Sequence, residues 1–167
     1  MKITDKDFTE AEKLLIIFAK INQNDPQYFI NIADDIFQKQ PFLLSTMLGY
    51  QYDLGPEEFD YVFKLHLLIW EYFKTNKQVL DKVLTLEQYI KVENLNIQML
   101  KYAEGEPDIA SQSNVFSMEL DKIKSKALLS LILLKFNTEP VLLKMQNRKR
   151  TSIIIGVKSM LESFESL

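Results

Sequence analysis

Apolar positions recur along this chain at spacings of three and four residues, the period that stacks side chains on one face of an α-helix. The pattern is densest in residues 56–74. There Phe59, Val62, Phe63, His66, Ile69, Trp70 and Phe73 line one face, and Tyr61, Leu65, Leu68 and Tyr72 a second. The polar remainder is a stripe of Glu57, Asp60, Lys64, Glu71 and Lys74. A helix apolar over most of its circumference predicts burial on all sides, because each large side chain left wet forfeits about 1.5–3 kcal/mol. Residues 56–74 are therefore expected to form the central helix, with the others packed around it.

The same reading, carried along the chain, predicts the surrounding elements. Thr9 and Glu12 have capping-box spacing, so a first helix is expected to start there and end near Asn22. Asp25-Pro26 starts a second, with Phe29, Ile32, Ala33, Ile36 and Phe37 facing the core. Pro41 separates it from a short third helix running to about Tyr50. Glu57 and Glu58 suit the positive end of the central helix. A short helix over residues 79–84 is followed by one that starts at the Thr85/Gln88 capping box and ends at Gly105. Residues 105–114, rich in small and polar side chains, predict a flexible loop. A helix over residues 116–136 follows, and a last segment from Pro140 to Ser166 runs unbroken or bends near residues 147–151. Gly156 should weaken that segment by roughly 1 kcal/mol relative to alanine. The β-branched run Ile153 to Ile155 is overridden by the helical period of Val157, Met160, Leu161 and Phe164.

These elements predict an all-α fold, a single domain over residues 1–167 in a bundle of six to eight helices. Phe37, Pro41, Leu43 and Leu44 are echoed by Phe136, Pro140, Leu142 and Leu143, which raises two pseudo-repeated helix-proline-helix units as a variant of that architecture.

Composition narrows the function more than it fixes it. The 167 residues are 47% hydrophobic and 26% charged, ordinary for one soluble domain. A net charge of -3 gives no general attraction to phosphate backbones. The absence of cysteine removes disulfides, thiol catalysis and thiolate-held metals. The opening residues are mixed in charge, and the longest uncharged apolar block, Ala127 to Leu134, is far short of the roughly 20 residues that span a bilayer. A soluble cytoplasmic protein without a membrane partner is the expectation.

Candidate chemistry is sparse. His66 is the one histidine, in an apolar face without a carboxylate one turn away, which favours a structural role over acid-base work. If an interhelical pocket exists there, His66, Tyr61, Trp70 and Tyr72 would line it. Asp34-Asp35 point about 100° apart, and Glu104, Glu106 and Asp108 do not match a calcium loop, so neither predicts a metal site and no cofactor is implied. Lys144, Arg148, Lys149 and Arg150 form the basic cluster, a candidate for anions, with nucleic acid disfavoured by the lack of stacking aromatics. Phe42, Met47, Tyr50 and Tyr52, with Met160 and Phe164, are candidate interface residues of the types enriched at protein contacts. The function this predicts is a non-catalytic helical interaction module whose partner is another protein or a second copy. An enzyme or small-ligand protein with a pocket near His66, and anion binding at residues 144–150, are the alternatives.

Overall fold

The computed structural model describes residues 5–167, with side chains from Phe8 onward. The chain forms α1 (Asp5–Ile21), α2 (Pro26–Lys39), α3 (Pro41–Gly49) running into a 3-10 turn (Tyr50–Tyr52), α4 (Pro56–Phe73) and α5 (Lys77–Leu80). It continues through α6 (Leu86–Glu104), α7 (Ile109–Lys122), α8 (Lys126–Thr138), α9 (Pro140–Leu143) and α10 (Asn147–Glu165). No strand occurs among the described residues, so the fold is all-α.

α4 is the hub, packed against α1, α3, α8, α9 and α10. Leu65, Leu67, Leu68, Ile69 and Trp70 are fully buried, and Phe73 stacks on Phe164 of α10 with ring centroids 5.5 Å apart. The polar stripe is narrower than its sequence suggests. Lys64 is nearly buried, its stem along the core and its ammonium 2.7 Å from Asp60 Oδ2.

Several start signals operate as their chemistry requires. Asp25 Oδ1 accepts the Gln27 amide at 2.9 Å at the start of α2. Thr85 and Gln88 complete the reciprocal cap of α6, and Glu58 Oε2 accepts the Gly55 amide at 3.0 Å at the start of α4.

Other expectations are corrected. α1 begins before Thr9, which sits inside the helix and is no N-cap. The loop expected over residues 105–114 is confined to residues 105–108, because Asp108 accepts the Ser111 amide at 2.9 Å and starts α7 at Ile109. The single helix expected over residues 116–136 is two, α7 and α8, broken at residues 123–125. Glu165, forty residues away on α10, makes that break: its carboxylate accepts the amides of Lys124 at 3.1 Å and Ser125 at 2.6 Å, together with the Ser125 hydroxyl. The last segment breaks at residues 144–146, just before the expected bend. The helix expected over residues 79–84 is only α5. Gln40, fully buried at the α2–α3 corner, holds the rest open, donating to Val79 O at 3.0 Å and Lys82 O at 2.7 Å while accepting the Leu84 amide at 2.9 Å.

Phe37, expected in the core, is 65% exposed, whereas its echo Phe136 is fully buried. Pro41 and Pro140 each start a helix, and Leu43 and Leu142 are both buried, but α3 and α9 differ in length by more than a turn. The echo marks a shared corner geometry and extends no further.

Candidate functional site: an apolar cleft roofed by α7

Among the long helices with described side chains, α7 is the one that buries none of its residues. Its sequence explains this. Ser111, Gln112, Ser113, Asn114 and Ser117 interrupt the apolar period, so the helix cannot offer a full stripe to the core. It packs chiefly against α6, with which it forms a helical hairpin. Phe116, Glu119 and Leu120 overhang α8 and α10, and between the four helices lies a cleft of about 300 Å³.

The cleft has apolar walls and a polar patch. Met99 and Leu100 of α6, Leu129 and Leu133 of α8, and Ile154 and Ile155 of α10 contribute the walls. The polar lining residues of the cleft are Asn96, Glu119, Thr151 and Lys158, of which Asn96 and Lys158 are buried. Lys158, nearly buried, donates from Nζ to Asn96 Oδ1 at 2.5 Å and to Glu162 Oε1 at 2.7 Å. Asn96 Nδ2 donates in turn to Ser159 Oγ at 3.0 Å and Glu162 Oε2 at 2.5 Å. The network fastens α6 to α10 and leaves the buried charges paired, which such a dry position demands.

Apolar side chains of the hairpin are exposed outside the cleft as well, and not on one face, since Ile109 and Met118 lie nine residues apart on opposite sides of α7. Ile109 is 80% and Met118 67% exposed, and Leu95 and Tyr102, two turns apart on α6, are exposed too. The tip carries Glu104, Glu106 and Asp108; hydrogen bonds from the Ser111 amide and hydroxyl hold the Asp108 carboxyl below the usual carboxylate range.

The residues proposed for a pocket on α4 do not converge. His66 and Trp70 are sealed in the core, and His66 lines none of the three clefts described here. Val62 O can only accept, so His66 Nδ1, 2.9 Å away, carries the proton, and Nε2 is a buried acceptor without a partner. Burial outweighs the Val62 hydrogen bond and pushes the imidazole down to about 4, so it is neutral at physiological pH. Trp70 Nε1 donates to Asp35 Oδ2 at 3.0 Å, giving Asp35 a role as an anchor that adjacency to Asp34 did not reveal. Tyr61 pairs with Glu139, and burial is the main cause that raises its phenol above the ordinary tyrosine value. Tyr72 instead borders a wider groove of about 630 Å³ between α1 and the ends of α4 and α10. That groove is open and lined by many polar groups, of which Tyr72 donates to Glu10 at 3.3 Å and Glu165 caps α8. A third, polar groove of about 510 Å³ lies between α2 and the end of α4, and its Glu71 accepts from Tyr28 at 3.0 Å and Lys74 at 2.7 Å.

The basic cluster is dispersed by the fold. Arg150 donates to Phe136 O and Asn137 Oδ1, each at 2.8 Å, and so closes the end of α8. Lys149 reaches Glu58 at 3.3 Å, which leaves Lys144 and Arg148 as its exposed members. The expected interface residues are mostly interior: Met47, Met160 and Phe164 are buried, Phe42 packs on Tyr89 at 5.4 Å, and Tyr50 lies over Gly156. Tyr52, 84% exposed, is the exception. No group of three or more histidine, aspartate or glutamate residues close enough to hold a metal ion occurs among the described residues, and no described helix is long and apolar enough to cross a membrane.

Sequence reasoning missed the cleft because it read residues 116–136 as one helix, whereas Phe116, Glu119 and Leu120 on α7 turn back over Leu129 and Leu133 on α8. Two signals were available: Asn96 amid the apolar positions of α6, and the Lys158–Glu162 spacing of one helical turn. No family model, curated protein or solved structure matches the chain.

Proposed function

We propose that the protein is a non-catalytic helical interaction module, working in the cytoplasm, whose partner docks on the exposed apolar side chains of the α6–α7 hairpin. One observation carries this reading. α7 buries no residue of its own yet presents Ile109 and Met118 to solvent, apolar area for which the other described residues offer no cover. The acidic tip at Glu104, Glu106 and Asp108 favours a partner whose docking segment is amphipathic with lysine or arginine at one end. A second copy of the chain is the alternative partner. The sealed His66 supports a binding role over acid-base chemistry, since a general base must reach its substrate.

The test is the paired substitution Ile109→Ser with Met118→Ser. Both side chains are exposed, so the unfolding free energy should stay within about 0.5 kcal/mol of the parent's. Partner retention on the immobilised chain, or the dimer seen in sedimentation velocity if the partner is a second copy, should be lost. Retention that survives both substitutions but disappears with Tyr52→Ser would move the interface to the 3-10 turn and contradict the proposal.

A further inference from the structure

We propose that the cleft beneath α7 binds a small neutral lipophile carrying one hydrogen-bond acceptor, of the class of medium-chain ketones, aldehydes and esters. The inference stands on the interior of the hairpin and does not depend on what docks outside it. Its volume sets the size. At about 300 Å³ the cleft has roughly twice the volume of a cavity that accepts benzene, which points to about a dozen non-hydrogen atoms.

The walls set the polarity. Leu100, Leu120, Leu129, Leu133, Ile154 and Ile155 offer an acyl chain only carbon. The polar patch sets the head group. A lysine ammonium has three donor hydrogens, and Lys158 uses one on Asn96 and one on Glu162. The third has no partner among the described residues and is assigned to the ligand oxygen.

Charge decides between neutral and ionic ligands. The positive charge of Lys158 is already matched by Glu162 at 2.7 Å, and a further carboxylate, Glu119, borders the cleft while paired with Lys122. A fatty-acid carboxylate would therefore add a negative charge beside two others with no free cation to meet it, and a dry site makes that costly. A ligand ammonium would oppose Lys158. A carbonyl or ester oxygen meets neither objection. Access runs past α7, the wall with no buried anchor and thus the element whose displacement exposes least core.

The experiment titrates the full chain, with labelled leucine and isoleucine methyl groups, with 2-decanone and separately with decanoate at pH 7.5. Saturable shifts are expected on Leu129, Leu133, Ile154 and Ile155, with half-saturation at a concentration at least tenfold lower for the ketone than for the carboxylate. Leu133→Trp, which fills the cleft, should abolish them; if that variant does not fold, the shift map of the parent chain decides. Equal or tighter decanoate binding overturns the neutral-ligand assignment. Absent saturation, or shifts centred elsewhere, overturns the site. The paired Ile109→Ser and Met118→Ser chain should keep the ketone shifts, so failure of the docking reading and failure of this one remain distinguishable.

Discussion

Replacing Gly156 with alanine separates two physical accounts of α10 with opposite signs. Helix propensity alone has Gly156→Ala stabilising by roughly 1 kcal/mol. The structure puts the added Cβ 2.4 Å from Tyr50 Oη and 3.4 Å from Tyr89 Oη. Van der Waals contact begins near 3.4 Å, so the Tyr50 hydroxyl must retreat by about 1 Å. It has little room. The Tyr50 ring lies 5.3 Å from the His66 ring, and Tyr89 is held by Glu93 at 2.8 Å and packs on Phe42. Overpacking a filled site costs about 1–3 kcal/mol, which outweighs propensity and leaves a net loss of up to about 2 kcal/mol. Tyr50→Phe removes the offending oxygen and leaves the ring carbon 3.7 Å from the new Cβ, an ordinary contact. In that background Gly156→Ala should be neutral to stabilising. Urea unfolding of the parent, the two single variants and the double variant yields the coupling directly, expected at about 1–3 kcal/mol. A stabilising Gly156→Ala in the parent, with no coupling to Tyr50→Phe, would refute the close approach of the 3-10 turn to α10.

Three further outcomes follow from buried polar groups and caps. The His66 imidazole sits at about 4 in the fold against 6.5 in the unfolded chain, so the unfolded state takes up its proton first as pH falls. Its contribution is complete above pH 6.5 and is lost between 6.5 and 4, about 3 kcal/mol in all; His66→Phe should remove that part of the pH-stability curve while leaving stability at pH 7.5 equal or higher. Gln40→Leu strands Val79 O, Lys82 O and Leu84 N in or near the core and should cost about 3 kcal/mol, whereas a loss under 1 kcal/mol in thermal unfolding would show that water replaces the carboxamide. Thr85→Ala removes one half of the α6 cap and should cost about 1 kcal/mol, read as a lowered urea midpoint with unchanged slope.

The central helix was legible because its signal is local and redundant: proline at its start and apolar residues on nearly every side. Asp25 and Thr85 were legible for the same reason, since a cap and the amides it serves lie within three residues. Thr9 shows the limit, because a capping-box spacing inside a helical period is indistinguishable from one at its start. The break between α7 and α8 was not legible, as its cause is Glu165, remote in sequence and adjacent only in the fold. Gln40 hides its role in the same way. The role of Lys158 was not legible because a one-dimensional pattern cannot show that Asn96 and Glu162 converge on it. Phe37 has the right phase for burial but lies where no described element covers it, so amphipathic phase identified the face and could not supply the partner.

Site-specific photo-crosslinking tests the location of the binding face most directly. A photoreactive phenylalanine analogue is placed at Met118 in the full chain, with Phe37 on α2 and Ile16 on α1 as equally exposed apolar controls. Illumination in an extract of the source cells should give a protein adduct of defined mass from position 118, twice the chain's own mass if the partner is a second copy, and none from positions 37 and 16. Adducts confined to either control position, or none at position 118, would contradict the assignment of recognition to the α6–α7 hairpin.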